Sequence, residues 1–145
     1  MVPMAIFRLA HALHRVGVPF LPRVLCGVNR ILFAMVLPAS VHLGRDVLLG
    51  YQGLGVVVHA DSVIGDRVVL ASGVTIGGTG TRPGVPVIED DVYVGSGAKL
   101  LGPIRIGRGS RIGANAVVLI DVPAGSIAVG VPARIMTASP ARSSP

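Results

Sequence analysis

The chain has 145 residues, with 20 glycines, a hydrophobic fraction of 51%, an aromatic fraction of 3% and a formal net charge of +6. This length fits one domain with a small appendage. The high hydrophobicity excludes intrinsic disorder, and the lack of a strict Gly-X-Y period excludes collagen. No apolar run reaches the roughly 18 to 20 residues of a membrane span. A composition rich in glycine and valine favours many short strands joined by tight turns.

The charge, the cysteine and the N-terminus narrow the classes of function. A basic chain favours an anionic partner such as a phosphorylated cofactor or an anionic membrane. Nucleic acid is not expected, because the chain has no run of basic residues and almost no aromatic side chains for base stacking. The single cysteine, Cys26, excludes an intrachain disulfide, and its apolar neighbours predict a buried, inert thiol. No signal-peptide pattern is visible, so we expect a cytoplasmic protein.

Residues 4 to 37 predict two amphipathic helices. On the first, Arg8, His11 and Arg15 share a face that we expect to be solvated. The apolar face of this helix contains Ile6, Leu9, Ala10 and Leu13. The apolar side of the second helix contains Leu25, Val28, Ile31, Leu32 and Met35.

Two interpretations of this helical region stay open. The helices could pack on the rest of the domain or on a neighbouring subunit. Alternatively, residues 1–37 could form a basic amphipathic pair at the inner face of a membrane, with Arg23 and Arg30 seven residues apart on the second helix. We expect no metal site at His11 and His14, which are assigned to a solvated helix face.

From Val41 onward the chain has an internal repeat of six residues. Aliphatic residues recur at a spacing of six, or of twelve across one gap, at Ile64, Leu70, Ile76, Ile88, Val94, Leu100, Ile106, Ile112 and Val118. Neither the period of a strand nor that of a helix gives this spacing, whereas a parallel β-helix does. Three hexapeptides would form one triangular coil of 18 residues, with the aliphatic residue pointing into the prism and successive coils stacked about 4.8 Å apart.

Two irregularities interrupt the repeat. A surplus of three residues, Gln52 to Leu54, follows the inward residues Leu43 and Leu49. Position 82 should be aliphatic by phase, but it is Arg82, which would not sit unpaired in an apolar bore. We therefore predict that residues 77–86 leave the prism wall as a loop, which is where binding is expected on a rigid solenoid.

Stacking at 18 residues predicts one groove along a corner of the prism. It places His59, Gly77, Gly95 and Gly113 in one column, and Ala60, Gly78, Ser96 and Ala114 in the next. Such a corner would expose backbone N–H groups to an extended ligand and to phosphate, although glycine could equally serve only to form corners. His59 lies beside the predicted loop and is a candidate general base, because imidazole exchanges protons near neutral pH.

Three segments carry a family resemblance: VIGDRVVLASGVTIGGTG, VIEDDVYVGSGAKLLGPIRIGRGSRIGANAVVL and DVPAGSIAVGVPARI. They resemble the hexapeptide-repeat acyltransferases, specifically the serine acetyltransferase-like branch, and cover about two thirds of the chain. The resemblance implies a left-handed parallel β-helix over residues 38–136, after an N-terminal helical region (1–37) and before a flexible tail (137–145). It also implies homotrimers or dimers of trimers, with active sites in clefts between neighbouring prisms.

By the same resemblance the acyl donor is acetyl-CoA, and no metal is expected. The implied CoA-binding positions are Gly77, Gly78, Thr79, Ser96, Arg111 and Ala114, with Lys99 as a further cation near the phosphate end. The catalytic positions depart from the family. The family's catalytic histidine falls on Tyr51, the aspartate before it on Gly50, and the second histidine on Val85.

The resulting hypothesis is an acyl-CoA-dependent O-acetyltransferase. His59 would take the proton of an acceptor hydroxyl, backbone N–H groups around Gly77 and Gly78 would stabilise the oxyanion, and Tyr51 would position the acceptor. The acceptor stays open between serine, another small molecule and a sugar hydroxyl. The alternative is an inactive hexapeptide-repeat scaffold or a membrane-docked partner protein. A zinc hydratase on the same prism is disfavoured, because His42 and His59 are too few ligands.

Overall fold

The computed structural model describes residues 2–136, so the predicted tail at 137–145 lies outside the described residues. Two helices open this part of the chain, α1 (Val2–Arg15) and α2 (Leu21–Phe33). Gly17 and Ala34, both in the left-handed region, end them at φ values of 81° and 50°. Short strands follow: β1 His42–Leu43, β2 Leu48–Leu49, β3 Val57–Val58, β4 Val63–Ile64, β5 Val69–Leu70, β6 Thr75–Gly77, β7 Val87–Ile88, β8 Tyr93–Val94, β9 Lys99–Leu101, β10 Arg105–Ile106, β11 Arg111–Ile112, β12 Val117–Val118, β13 Ile127–Val129 and β14 Arg134–Met136.

The strands form three parallel sheets that are the faces of a triangular prism. Face 1 has the order β1-β4-β7-β10, face 2 has β14-β13-β11-β8-β5-β2, and face 3 has β12-β9-β6-β3. Each strand inside a sheet pairs with strands of the coils before and after it, and only β14 runs antiparallel to its neighbour among the described strands. The predicted left-handed parallel β-helix with a helical N-terminal region is confirmed.

The bore of the prism is filled by the aliphatic residues of the repeat. Every predicted inward residue is buried, and Ile64, Leu70, Leu100, Ile106 and Val118 have no exposed surface. Small and β-branched residues two positions earlier, such as Val68 and Ala98, are buried beside them. Because each bore residue packs on its equivalents in adjacent coils, a continuous core forms without large aromatic side chains.

The stacking register differs from the predicted one after residue 76. Val58 pairs with Ile76 as expected, but Ile76 pairs with Leu100 and not with Val94. Val94 instead stacks between Leu70 and Ile112 on face 2. The loop at residues 77–86 spans a single corner of the prism. It therefore adds six residues to the chain without adding a strand to any face. The prediction of a single column through all coils was therefore wrong.

The three corners of the prism differ in their side chains. We call the corner between faces 1 and 2 the ionic edge (residues 44–47, 65–68, 89–92 and 107–110). The small-residue edge lies between faces 2 and 3 (residues 50–56, 71–74, 95–98 and 113–116). The loop edge lies between faces 3 and 1 (residues 59–62, 77–86 and 102–104). Most of the candidate functional residues lie on these edges, while Lys99 and Arg111 lie on the adjoining strands β9 and β11.

The helical region covers the open N-terminal end of the prism. Phe7 is fully buried in the same core cluster as Met35. The Arg8 guanidinium donates to the carbonyl oxygens of Leu43 and Gly44 at 3.2 and 2.5 Å, at the free side of edge strand β1. The solenoid pairing begins at Val36, which bridges to Val57. Helix packing on the domain is thus what the structure shows for α1.

The solvated face predicted for α1 was wrong at His11, since its Nδ1 is 2.7 Å from the Ala39 carbonyl oxygen. Leu9, Ile31 and Leu32, predicted to lie on the apolar sides of the helices, are 53%, 85% and 65% exposed, so they do not pack on the prism. The Cys26 thiol is partly buried, which raises its pKa. Between residues 2 and 136, no helix is long and apolar enough to cross a membrane.

Candidate functional site

The loop edge is formed by the segment from Gly77 to Pro86, which leaves the prism between β6 and β7. The prediction that Arg82 avoids the bore is confirmed, because Arg82 is exposed and its Nη2 lies 3.4 Å from the Leu119 carbonyl oxygen. Thr79 holds the loop through its Oγ1, which accepts the Arg82 backbone N–H at 3.3 Å. The loop therefore folds back over the next coil and is part of the rigid solenoid surface.

Gly77 and Gly78 differ in what their amides can do. Gly77 is the last residue of β6 and pairs with Leu101, so it belongs to the sheet ladder. Gly78 is exposed, and its N–H has no backbone acceptor within residues 2–136. An exposed amide without an acceptor is available to a ligand oxygen. Of the two predicted oxyanion donors, the structure leaves Gly78 free for that role.

His59 lies one coil before this loop, on the same edge. Its backbone N–H donates to the Ile76 carbonyl oxygen at 2.8 Å, which places it directly beside Gly77. The imidazole is 46% exposed, with Nδ1 3.2 Å from the Asp61 backbone nitrogen and 3.8 Å from the Asp61 carboxylate. Asp61 was not a candidate in the sequence, although its position two residues beyond His59 across a turn was the available signal.

In the coils after residue 70, the small-residue edge presents backbone and small side chains. Ser96 and Ala114 are exposed and stack in adjacent coils, where the Asn115 N–H donates to the Ser96 carbonyl oxygen at 2.8 Å. Gly95 sits so close to the next coil that a Cβ there would lie 2.7 Å from the Ala114 nitrogen. The surface along this edge is consequently smooth enough for an extended ligand to lie against it.

Two cations flank the small-residue edge, and their surroundings differ. The Lys99 Nζ donates to the Gly73 carbonyl oxygen at 2.9 Å, so this ammonium group already has a hydrogen-bond acceptor within the chain. Arg111 is exposed on face 2, and its guanidinium carbon lies 4.9 Å from the centroid of the Tyr93 ring. That cation–π contact orients the guanidinium but leaves its N–H groups free to bind phosphate. Arg111 is thus better placed than Lys99 to contact a phosphate group.

Tyr51 lies in the short 3₁₀ turn Gly50–Gly53 on the small-residue edge, where the predicted three-residue insertion begins. Its side chain is 83% exposed. Tyr51 and Gln52 both have left-handed backbone, with φ of 49° and 58°. Two successive non-glycine residues in this region are costly, which often marks a functional segment.

The structure does not bring all the candidates into one groove of a single chain. His59, Gly77, Gly78 and Thr79 lie on the loop edge, while Tyr51, Ser96, Lys99, Arg111 and Ala114 lie on or beside the small-residue edge. Face 3 separates the two groups, and the four residue steps from Gly73 to Gly77 span about 13 Å of it. The predicted continuous groove through Gly77 and Gly95 was therefore wrong. Within residues 2–136 no three metal-ligating side chains cluster.

Comparison with known proteins agrees with this architecture. Residues 86–119 match the family model described as bacterial transferase hexapeptide (six repeats). A serine acetyltransferase of Helicobacter pylori is 44% identical over 133 residues, which cover 90% of this chain and 77% of that protein. A serine acetyltransferase of Synechococcus elongatus is 39% identical over 140 residues, covering 95% of this chain and 57% of that protein.

A solved structure shows the same fold. The Brucella abortus serine acetyltransferase in complex with coenzyme A superposes with a TM-score of 0.87 at 37% identity, covering 92% of this chain and 54% of that one. The chain thus spans little more than half the length of several relatives that it matches.

Fold and repeat together define a hexapeptide-repeat transferase architecture. The identity to the Helicobacter protein, over more than two thirds of that protein, is more specific. The chain belongs to the serine acetyltransferase family.

Proposed function

We propose that this protein is an acetyl-CoA-dependent O-acetyltransferase. The observation that carries the proposal is the 44% identity to the Helicobacter serine acetyltransferase over 77% of that protein. The coenzyme A complex of the Brucella relative, which shares the fold at a TM-score of 0.87, supports acetyl-CoA as donor. The exposed amide of Gly78 and the bare surface at Ser96 and Ala114 are suited to such a ligand.

The active site is proposed to form between two copies of the chain. One copy would supply the loop edge, with His59 and the segment Gly77–Thr79. Its neighbour would supply the small-residue edge, with Tyr51, Ser96, Lys99, Arg111 and Ala114. Since face 3 separates the two edges within one chain, a cleft between prisms brings together groups that one prism holds apart. From the family resemblance we expect a homotrimer or a dimer of trimers, which sedimentation equilibrium would measure directly.

In the proposed reaction, His59 accepts the proton of the acceptor hydroxyl as the hydroxyl oxygen attacks the thioester carbonyl carbon. The N–H of Gly78 donates to the oxygen that becomes negatively charged. As the carbon–sulfur bond breaks, the electron pair leaves with the coenzyme A sulfur, and His59 returns the proton to the thiolate. The acetyl group moves directly to the acceptor, so no covalent acyl-enzyme is required.

The hydrogen bonding of His59 sets a condition on this role. In the structure Nδ1 accepts the Asp61 backbone N–H, and a neutral imidazole then carries its proton on Nε2. For Nε2 to act as base, the ring must instead donate Nδ1–H, and the Asp61 carboxylate 3.8 Å away is the nearby acceptor. Asp61 is proposed as the group that selects this tautomer when the acceptor binds.

The relatives favour serine as the acceptor, since they are named serine acetyltransferases and the soybean enzyme has been solved in complex with serine. A sugar hydroxyl is the second candidate, supported by this chain's own residues. Gly50, Tyr51 and Val85 stand where the family resemblance places charged and histidine side chains. A tyrosine ring stacks well on a sugar but provides no ion pair to an amino acid. We place the reaction in the cytoplasm, where acyl-CoA thioesters are available.

The test is release of free thiol from acetyl-CoA by the full chain, with serine, homoserine and a panel of sugars as acceptors. His59→Ala should lower kcat by about 10²- to 10⁴-fold, because it removes the general base. His42→Ala is the matched control, since His42 is also exposed but lies on face 1, and it should retain activity. Full turnover by His59→Ala would refute the base assignment. Thiol release with none of the acceptors would favour the inactive scaffold.

A further inference from the structure

Helix α1 turns an apolar stripe toward solvent. Its members are spaced by three or four residues, as on one side of a helix, and all are exposed: Val2, Ala5, Leu9, Ala12 and Val16. Val16 alone is 75% exposed. The opposite side of the helix, through Phe7 and Ala10, is the side that packs on the prism. The stripe therefore faces away from the solenoid.

Helix α2 also exposes an apolar stripe, and its opposite side buries a polar residue. Its exposed stripe consists of Leu21, Val24, Ile31 and Leu32. The buried side contains a polar residue, Asn29, whose Nδ2 donates to the Pro3 carbonyl oxygen at 3.0 Å. Phe20, in the turn between the helices, is 73% exposed. A helix that buries an asparagine and exposes its aliphatic stripe needs another apolar phase to cover that stripe.

The charge around the stripes has one sign. No aspartate or glutamate precedes Asp46, and every charged side chain in the first 45 residues is an arginine. Arg8 is bound to prism carbonyl oxygens, whereas Arg15, Arg23 and Arg30 make no ion pair within residues 2–136. Arg23 and Arg30, with His14, also line a cleft of about 700 Å³ between the helices and the first coil. A helical region whose charged side chains are all positive and whose aliphatic stripes are exposed matches an anionic, amphipathic partner.

We propose that the two N-terminal helices bind in the plane of an anionic phospholipid surface. The two stripes would enter the boundary of the acyl chains, and Arg15, Arg23 and Arg30 would contact headgroup phosphates. A second copy of the chain fits less well, because pairing the same faces would bring arginines against arginines. Nucleic acid fits less well because aliphatic stripes provide no stacking surface for bases. The cleft beside Arg23 and Arg30 has room for a headgroup.

The experiment is vesicle flotation of the full chain at about 0.1 M salt. Vesicles of phosphatidylcholine alone are compared with vesicles that contain about 30 mol% phosphatidylglycerol. We expect the protein to float only with the anionic vesicles and to be released by high salt. Absence of flotation with anionic vesicles would overturn the proposal, and so would equal, salt-insensitive flotation with both kinds of vesicle.

Two variants separate the apolar and charged contributions. Ile31→Ser with Leu32→Ser should weaken binding by about 10- to 100-fold, because both side chains leave the acyl boundary. Arg15→Gln with Arg23→Gln and Arg30→Gln should weaken it by about fivefold for each arginine. Leu48→Ser and Arg134→Gln, exposed positions on the solenoid, are the matched controls and should bind as the wild type does. Wild-type flotation by both helix variants would contradict the proposal.

Sedimentation without lipid distinguishes the membrane from a second copy. If Ile31→Ser with Leu32→Ser changes the oligomeric state, the stripes are a self-association surface and the lipid proposal is wrong. An unchanged oligomeric state, together with an unchanged thermal melt and weaker flotation, is the expected result. Thiol release measured on the same samples reports on the proposed reaction separately, since these side chains lie outside both candidate edges.

Discussion

The ionic edge and the small-residue edge occupy equivalent corners of the same prism, yet they have opposite chemistry. Along the ionic edge, oppositely charged side chains link successive coils. Arg45 pairs with Asp66 at 2.9 Å, and Arg67 pairs with Asp91 at 2.6 Å. Along the small-residue edge, the coils at Ser96 and Ala114 are joined by backbone hydrogen bonds and not by charged side chains.

This difference shows which interactions the fold requires at a corner. On both edges the coils are joined by backbone hydrogen bonds of similar length, such as Asn115 to Ser96 at 2.8 Å and Arg67 to Arg45 at 2.8 Å. The bore is equally filled behind both edges. Backbone hydrogen bonds and packing in the bore therefore hold the solenoid together. The side chains at the corners can differ without loss of the fold. One edge carries charge pairs, while the other carries small side chains and is the edge proposed to bind coenzyme A.

The largest expected effect comes from adding one methyl group to the bare edge. Gly95→Ala would place a Cβ 2.7 Å from the Ala114 nitrogen and 2.9 Å from the Ile112 carbonyl oxygen. Backbone atoms of the next coil cannot move aside easily, so we expect a loss of about 2–3 kcal/mol in the free energy of unfolding. Urea denaturation would measure it. Gly77→Ala is the matched control, because a Cβ there meets nothing within 4 Å. Equal free energies of unfolding for the two variants would contradict the prediction.

An intermediate effect is expected from the cation beside the bare edge. Arg111→Gln keeps much of the side-chain length but removes the charge proposed to hold a coenzyme A phosphate. Because the site is exposed, the loss is about 1 kcal/mol, which raises KM for acetyl-CoA about fivefold and leaves kcat unchanged. Initial rates of thiol release measure both constants. Arg134→Gln is the control, and an Arg111→Gln enzyme with wild-type KM would remove this residue from the donor site.

The smallest effect is expected at the ionic edge and depends on pH. The backbone N–H and guanidinium of Arg45 lower the pKa of Asp66, and the Arg67 guanidinium lowers the pKa of Asp91. Since each folded-state pKa lies below the unfolded one, the stabilisation is complete above about pH 4 and is lost as the pH falls through the folded-state pKa values. Melting temperatures between about pH 7 and pH 2.5 should therefore decline in acid.

Asp66→Asn sharpens this test, because it removes one titrating carboxylate from the ionic edge. We expect a lower melting temperature at neutral pH and a shallower decline in acid. Asp46→Asn is the control, since Asp46 is exposed on the same edge and forms no ion pair within residues 2–136. Identical acid profiles for Asp66→Asn and the wild type would mean that the charge pairs add nothing to coil stacking.

Sequence alone predicted the solenoid because its signal is periodic and local. Every aliphatic residue that the spacing of six marked as inward is buried, and the arginine at position 82 identified the loop. The register failed at that loop, since a repeat count treats each hexapeptide as one face of the prism. Residues 77–86 take up a longer stretch of chain at a single corner, so Val94 stacks on Leu70 instead of Ile76. The grouping of candidates by edge could not be read from spacing alone.

The helices show a different limit. Their apolar periodicity predicted two amphipathic helices but not which side meets the prism, and the structure places Phe7 in the core and Arg8 and His11 against carbonyl oxygens of the following segment. The carbonyl oxygens that Arg8 and His11 contact lie outside the helices, and no single-helix pattern contains that information.

The contact of Arg8 with the first coil also limits how large the assembly of strands can become. A parallel β-helix has no intrinsic end, because each terminal coil presents the same unpaired groups that recruited the coil before it. By occupying the carbonyl oxygens of Leu43 and Gly44, the Arg8 guanidinium denies them to a strand from another molecule. The helical region thus covers the N-terminal end of the solenoid at the place where a strand of another molecule would otherwise pair.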